Sequence, residues 1–137
     1  MNPTAWDFFI DRTLNPPASE SALIELSKIA EGRLPDDYLA LLRIADGGCG
    51  FVGDNYLLIY AAADVVREGR FEEFMPHLLF FASNGGGEGF AWDLSRTPLM
   101  IVNVPFIGTT DEGIARDFGT SIAELLQRLQ AAPVFPS

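Results

Sequence analysis

Few residues of this sequence have the chemistry that a catalytic site requires. His77 is its one histidine and Cys49 its one cysteine. A histidine works as a general base when a nucleophile lies beside it, but His77 follows Pro76 and precedes an apolar run, with no serine or cysteine next to it. Cys49 lies between two glycines, which is typical of a small residue in a tight turn rather than of a reactive thiol. Both residues are therefore interpreted as structural.

The carboxylates are numerous, and a pair of them can hydrolyse a glycosidic bond or hold a hard cation. Asp36-Asp37 and Asp111-Glu112-Gly113 are two such groups, and neither has the alternating spacing of a calcium-binding loop. Acidic residues of this kind are typical of a helix start or a turn. A single cysteine cannot form an internal disulfide or a thiolate cluster for zinc or an iron–sulfur centre. The sequence therefore predicts no metal, no cofactor and no enzyme active site.

A run of glycines, Asn84-Gly85-Gly86-Gly87-Glu88-Gly89, is the most conspicuous motif. Common phosphate-binding loops lead from a strand into a helix, whose first amides hold the phosphate. This run leads instead into Phe90-Ala91-Trp92-Asp93, which is typical of another strand, and no Gly-Lys-Ser or Gly-Lys-Thr lies nearby. Consecutive glycines also serve the positive φ angles of tight turns. We expect a strand-to-strand turn here rather than a phosphate site.

The charge of the chain indicates what kind of partner it could bind. Nineteen acidic residues against nine basic ones give a formal net charge of -10. Such a charge repels nucleic acid and anionic lipid and attracts cationic protein surfaces, although a merely solubilising surface is an alternative. We expect a protein partner and neither nucleic acid nor membrane. The candidate contact residues are acidic and flank predicted strand ends and loops: Asp54, Asp64, Glu88, Asp93 and Asp111.

The length and composition of the chain suit one ordered domain. Of its 137 residues, 48% are hydrophobic and 12% aromatic. A domain of this length buries roughly two-thirds of the surface that its unfolded chain exposes, so residues 1–137 are expected to form a single domain. The N-terminus lacks the basic segment and apolar run of a secretory signal, and no apolar stretch approaches a membrane span. These features, with the single cysteine, favour a cytoplasmic protein.

Helices are predicted where apolar residues recur at three- and four-residue spacing. Serine caps, prolines in a first turn and glycines after a last turn mark the ends. The first three predicted helices are a short one within Trp6 to Leu14, a second capped by Ser19 or Ser21 and stopped by Gly32, and a third opened by Leu34-Pro35-Asp36-Asp37 and closed by Asp46-Gly47-Gly48. The others are a short helix within Ala62 to Phe74 that breaks at Gly69, and a last one with the capping pair Ser121 and Glu124 that ends at Pro133.

Strands are predicted where short apolar runs alternate with turn residues. Helices at both ends around such a meander predict an α+β fold, in which helices pack on one face of an antiparallel sheet. Trp92 is expected in the core of this sheet with its indole N–H hydrogen-bonded. Trp6 is expected to seal the edge of the core, with a place in an exposed contact patch as the alternative. The runs are Tyr56 to Tyr60, Leu78 to Ala82, Phe90 to Leu94 and Leu99 to Val104.

The order of these features along the chain resembles the SUKH superfamily, which joins a fungal cell-wall assembly regulator to many bacterial immunity proteins. The resemblance covers residues from about Ser19 to Leu129. Where the family often has Gly-Asp before its aromatic strand, this chain has Gly87-Glu88-Gly89-Phe90. After a leading amphipathic helix, the motifs that carry the resemblance are Leu34-Pro35-Asp36-Asp37-Tyr38, Leu41-Leu42, Asp46-Gly47-Gly48, Leu57-Leu58-Ile59-Tyr60, the segment from Phe81 to Leu94, and Ala115-Arg116-Asp117-Phe118.

The resemblance implies a non-catalytic α+β domain that binds a protein. In bacteria it implies an immunity protein that neutralises a toxin, often a nuclease, and in fungi a regulator of cell-wall synthesis. A short chain looks more like the bacterial form, so the leading hypothesis is inhibition of a basic toxin domain by occlusion. Two alternatives stay open: a small enzyme that uses paired carboxylates or His77, and a housekeeping interaction module without a toxin. The partner, the contacting face and the oligomeric state are left open.

Overall fold

The structure is a computed structural model that describes residues 4–70, 75–105 and 116–133. This part of the chain forms one antiparallel sheet with helices, and a short 3-10 helix at Ala5–Phe8 precedes them. The strands are β1 Ile10–Leu14, β2 Gly48–Val52, β3 Asn55–Ile59, β4 Leu78–Ser83, β5 Glu88–Asp93, β6 Met100–Pro105 and β7 Arg116–Gly119. The helices are α1 Glu20–Ile29, α2 Asp36–Ile44, α3 Ala62–Glu68 and α4 Ile122–Ala131.

The strands follow one another across the sheet in chain order, from β1 to β7, and each neighbouring pair is antiparallel. Antiparallel neighbours need only short connections, as in a meander. The helices α1 to α4 contribute their buried residues to the same core as one face of the sheet. The predicted α+β fold with helices on one face is confirmed. We call this face the inner face and the opposite one the outer face.

The helices begin where local sequence signals predict. Ser19, rather than Ser21, caps α1 by accepting a hydrogen bond from the Ala22 amide at 3.2 Å. Ser121 caps α4 in the same way by accepting from the Glu124 amide at 3.2 Å. The predicted helix break at Gly69 is also confirmed, since α3 ends there. Phe71 to Phe74, the rest of that predicted segment, lie outside the described residues.

The prediction of a helix within Trp6 to Leu14 is wrong for most of its length. Only Ala5–Phe8 is helical, and Ile10–Leu14 forms the edge strand β1. Ile10 and Thr13 are β-branched and suit a strand. Their partners are the backbone groups of Phe51 and Cys49, far along the chain. Tertiary pairing therefore overrides a local apolar pattern that could not reveal its partner.

The strand β2, Gly48–Val52, is absent from the prediction because glycine usually weakens a strand. Here the glycines allow β1 to approach closely. A Cβ atom on Gly48 would lie 2.6 Å from the Thr13 carbonyl oxygen, and one on Gly50 would lie 3.0 Å from the Ile10 carbonyl oxygen. A larger side chain at either position would push β1 away, so the glycines make this edge pairing possible.

The core of the inner face is built around aromatic rings. Trp6 is 1% exposed and its Nε1 donates to the Leu41 carbonyl at 2.9 Å, as expected for a residue at the core edge. Trp92 is fully buried, with its ring stacked on Phe81 at 4.9 Å and tilted against Tyr38 at 5.4 Å. Its Nε1 has no hydrogen-bond acceptor among the residues that the structure describes, so the expectation of a bonded indole N–H is wrong there.

The outer face divides into two halves. Its β4 to β6 half is buried and forms a second apolar cluster, which includes Phe80, Ala91 and Val102. Its β1 to β3 half is open to solvent, where Ile10 is 61% exposed and Phe51 is 43% exposed. None of the helices between residues 4 and 133 that the structure describes is long and apolar enough to cross a membrane. The open half of the outer face is therefore the apolar sheet surface that a partner can reach.

Candidate functional site

The five acidic residues that the sequence singles out do not form one cluster. Asp54 lies in the turn between β2 and β3, and Glu88 begins β5, so both lie at one end of the meander. Asp93 ends β5 at the opposite end of the sheet, and Asp64 lies in the first turn of α3. Asp111 lies outside the described residues. The structure therefore places Asp54 and Glu88 at the same end of the sheet, without a contact between them, and separates them from Asp64 and Asp93.

Three of these carboxylates are held by arginines of the same chain, which leaves them less available to a partner. Asp54 is exposed and makes no ion pair with any described residue. It is the member of the set that is best placed to meet an external cation. The three internal pairs join Asp64 to Arg67 at 2.5 Å, Asp93 to Arg96 at 3.1 Å and Glu88 to Arg116 at 3.7 Å.

A polar cavity of about 160 Å³ lies near Asp93 on the outer face. Arg96 is its central group, because its Nε donates to Asp93 Oδ2 at 3.1 Å and its two terminal nitrogens donate to the Asp117 carboxylate at 3.0 and 2.5 Å. The other oxygen of Asp93 accepts from the amide and hydroxyl of Ser95 at 3.0 and 2.6 Å. The described residues that line the cavity are Met75, His77, Leu78, Asp93, Arg96, Val102, Val104 and Asp117.

These bonds lower the pKa values of the two carboxylates in the cavity. Burial acts to raise the pKa of Asp93, but the hydrogen bonds from Ser95 and Arg96 outweigh it and lower that pKa below its usual value. The hydrogen bonds from Arg96 lower the pKa of Asp117 as well. Both carboxylates therefore stay ionised and paired near neutral pH, where a general acid would have to carry a proton.

The cavity also lacks a metal-ligand set among residues that the structure describes, where no group of three histidine, cysteine or acidic side chains could hold an ion. His77 lines the cavity wall, and its charge would act on Asp93. Arg96 separates Asp93 from Asp117, so the two carboxylates do not share one reacting atom. Through Arg96, these bonds connect the β5–β6 turn to β7 and so stabilise the sheet.

The glycine run is confirmed as the turn between β4 and β5. Asn84 Oδ1 accepts from the Gly86 amide at 2.9 Å and from the Glu88 amide at 3.2 Å. The Asn84 amide donates in turn to the Glu88 carbonyl at 3.0 Å. Because the Gly86 and Glu88 amides bond to the turn's own asparagine, these two amides are not free to hold a phosphate. An asparagine side chain that closes a turn in this way is common.

A group of apolar side chains on the open half of the outer face is the feature that sequence reasoning missed. We call Ile10, Phe51, Tyr56 and Leu58 the aromatic patch. Ile10 pairs with Phe51 across β1 and β2, and Phe51 pairs with Tyr56 across β2 and β3. The rings of Phe51 and Tyr56 meet edge to face at 5.4 Å. The available signal was the sequence of β3, in which outward positions 56 and 58 are apolar although the inward positions already supply the core.

The seven antiparallel strands of the described residues, with helices on one face, form an α+β fold that is consistent with the class that the sequence resembles. The chain belongs to the SMI1 / KNR4 family (SUKH-1), which it matches over residues 17–128. This family is known broadly for immunity proteins and cell-wall regulators, and it is generally non-catalytic. Because immunity proteins bind toxins, the family as a whole suggests protein–protein interaction. No curated protein matches the chain.

Proposed function

We propose that this chain is a non-catalytic, protein-binding immunity protein that neutralises a basic toxin domain, such as a nuclease, by covering its active surface. The proposal treats residues 1–137 as a single domain that works in the cytoplasm. Membership of the SMI1 / KNR4 family supports a role in protein–protein interaction. The charge of the chain supports a cationic partner, because acidic and basic surfaces attract and orient one another before contact.

The observation that carries this proposal is that most arginines pair with carboxylates of the same chain. Within the described residues, five of the eight arginines form ion pairs with the chain's own carboxylates, so much of their positive charge is compensated inside the chain. Acidic groups remain in excess, because the chain keeps a formal net charge of -10. A nuclease must present cationic surface to its substrate, and an acidic inhibitor can cover that surface. The paired arginines are Arg12, Arg43, Arg67, Arg96 and Arg116.

Co-expression tests the proposal. The protein encoded beside this chain is produced from an inducible promoter, with and without the chain, and growth is measured. Binding is measured separately by calorimetry with a catalytically inactive form of that neighbour. We expect restored growth and a one-to-one complex. Growth arrest that the chain does not relieve, together with no measurable complex, would contradict the immunity role.

An enzyme is the second candidate, and one observation favours it: His77, Asp93 and Asp117 line the same cavity. A hydrolytic role requires activity that disappears in both His77→Ala and Asp117→Asn while each variant keeps its fold by circular dichroism. A housekeeping interaction module is the remaining alternative. Gene context separates it from the immunity role, because only an immunity protein needs a toxin encoded nearby.

A further inference from the structure

The aromatic patch is an apolar surface that the rest of the described chain leaves uncovered. All four helices pack on the inner face, and the second apolar cluster covers only the β4 to β6 half of the outer face. Ile10 and Phe51 are two of the most exposed large apolar residues, at 61% and 43%. Exposed apolar groups that adjoin on neighbouring strands are typical of interaction sites, whereas scattered ones are not.

Tyr56 is held in place before any partner arrives. Its ring is packed edge to face against Phe51 at 5.4 Å. The neighbouring Cys49 thiol acts to raise the pKa of Tyr56, so its hydroxyl group stays protonated. The glycine turn lies against the Cδ2–Cε2 edge of the ring, since a Cβ on Gly85 would lie 3.1 Å from Tyr56 Cε2 and 3.2 Å from Tyr56 Cδ2. A ring that is already ordered loses little conformational entropy on binding, as is typical of residues that dominate interfaces.

The charged groups beside the patch are acidic. Asp11 follows Ile10 directly in β1, and Asp54 lies in the turn that joins Phe51's strand to Tyr56's strand. Both are exposed, and neither forms an ion pair within the part of the chain that the structure describes. Arg12 is the nearby cation in β1, but its guanidinium donates to the Trp6 carbonyl at 2.7 Å and pairs with Asp7. It is thereby turned away from the patch.

Two other occupants fit this surface less well. A second copy of the chain would bring its own Asp11 and Asp54 and a net charge of -10 against the same charges, which opposes association. An added strand would have to pair with the free edge of β1. That edge carries a register shift between Ile10 and Thr13, with Asp11 at a φ of 54°, and such a bulge interrupts strand pairing.

We propose that the aromatic patch binds arginine side chains of a cationic protein, with guanidinium groups stacked on Phe51 and Tyr56 and paired with Asp54 and Asp11. A guanidinium group both stacks on aromatic faces and forms forked hydrogen bonds with carboxylates, whereas an ammonium group is more strongly hydrated and cannot form the fork. The surface therefore selects arginine over lysine. This inference rests on the proposed function and names the face and the chemistry of its partner.

The first test uses peptides as probes, and it does not depend on a toxin. The ¹⁵N-labelled chain is titrated with a short glycine peptide that carries two arginines, and then with the same peptide carrying lysines. We expect amide shifts concentrated at residues 49–58 and tighter binding of the arginine peptide. Phe51→Leu keeps the apolar bulk but removes the aromatic face, so it should weaken arginine binding about two- to five-fold and leave lysine binding nearly unchanged. Asp54→Asn should weaken both.

Matched controls lie on the helical side of the molecule. Ile24, on α1, is 53% exposed, and Ile24→Ser should leave both titrations unchanged. Glu25→Gln on the same helix removes one exposed charge without touching the patch. Shifts that centre on α1 and α2, or equal affinity for the two peptides, would overturn the inference. Self-association of the chain that disappears in Phe51→Leu would also overturn the inference, because the patch would then bind a second copy of the chain.

The second test separates this inference from the proposed function. The double variant Phe51→Leu with Asp54→Asn is placed in the co-expression assay beside the unchanged chain and Ile24→Ser. Loss of protection in the double variant alone supports the patch as the toxin-binding face. Full protection by the double variant would contradict the aromatic patch as the binding face and would leave the proposed immunity role intact. If the unchanged chain prefers the arginine peptide but gives no protection, the immunity role is contradicted and the arginine-binding patch is supported.

Discussion

Arg96 shows how a single residue determines the character of the polar cavity. Its guanidinium group holds Asp93 on one side and Asp117 on the other, and it keeps both carboxylates ionised. Asp93 is 8% exposed, so its charge depends on these bonds rather than on water. A carboxyl group whose pKa is lower in the folded protein than in the unfolded chain stabilises the fold wherever it is charged.

Replacing Asp93 by asparagine tests this role. The change removes the buried charge that pairs with Arg96, and we expect the free energy of unfolding at neutral pH to fall by about 1–3 kcal/mol. The stability that Asp93 contributes is present above its unfolded-state pKa, about 3.9, and is lost as the pH falls through the folded-state pKa. The difference between the wild type and Asp93→Asn should therefore shrink in acid. Urea unfolding at several pH values measures it.

Asp64→Asn serves as the control for this prediction. Asp64 also pairs with an arginine, but the two side chains are 50% and 64% exposed. Water screens such a pair, so the loss should stay below about 1 kcal/mol. A deficit for Asp93→Asn that remains constant from neutral pH into acid would mean that its charge contributes nothing and that only packing was disturbed.

At this scale the sequence indicates residue types but not partners. Asp93 could be placed at a strand end from the sequence alone. Its bond to Arg96 is local, but the bond from Arg96 to Asp117 joins residues that are 21 apart. That contact depends on the register between β6 and β7, which no local pattern reveals.

The elements that the sequence predicts are those with a local signal. The helix α4 has a serine cap and a complete apolar stripe, and β3 to β6 have short apolar runs between turn residues. The strands β1 and β2 have no such signal, because one was hidden in an apolar segment and the other is rich in glycine. Their pairing is tertiary, so they were missed together, and with them the surface that they form with β3.

The helix α4 is anchored to the β2–β3 turn by Asn55. This side chain is 3% exposed, and its Nδ2 donates to the Leu129 carbonyl at 2.6 Å and to the Ala132 carbonyl at 2.9 Å. These carbonyls belong to the end of α4, where backbone acceptors have no partner within the helix. The asparagine therefore caps the helix from a distant part of the chain.

Asn55→Ala should lower the free energy of unfolding by about 1–3 kcal/mol, because it removes the Asn55 donor from the buried Leu129 carbonyl. Amide hydrogen exchange should rise most in the last turn of α4. Asp54→Ala is the matched control, since this neighbouring side chain is exposed and makes no ion pair with a described residue. Equal exchange at α4 in the two variants would show that Asn55 does not hold the helix.

The whole molecule combines a helical inner face with an outer face that is half open. The fold class follows from the order of elements, and the family follows from motifs spread over residues 17–128. The aromatic patch follows from neither, because the exposure of Phe51 depends on which half of the sheet the rest of the chain leaves uncovered. Charge is a property of the entire chain and was readable at once. Which carboxylates are left without an arginine partner could be seen only from the ion pairs of the folded chain.

The excess charge predicts how association should respond to salt. At about 0.1 M salt the Debye length is roughly 10 Å, and near 1 M it is roughly 3 Å, so high salt removes the long-range attraction between a chain of net charge -10 and a basic partner. We expect the association rate constant to fall about ten-fold or more across that range. The dissociation rate constant should change less, because stacking on Phe51 and Tyr56 is a contact effect.

Stopped-flow mixing with the inactive neighbouring protein measures both rate constants as salt is varied. Asp11→Asn with Asp54→Asn should flatten the salt dependence of association, since these carboxylates lie beside the contact surface. Glu25→Gln removes a charge from the helical side and should flatten it less. An association rate that is independent of salt in the unchanged chain would mean that the acidity serves solubility alone, and the partner would then be recognised by shape and apolar contact.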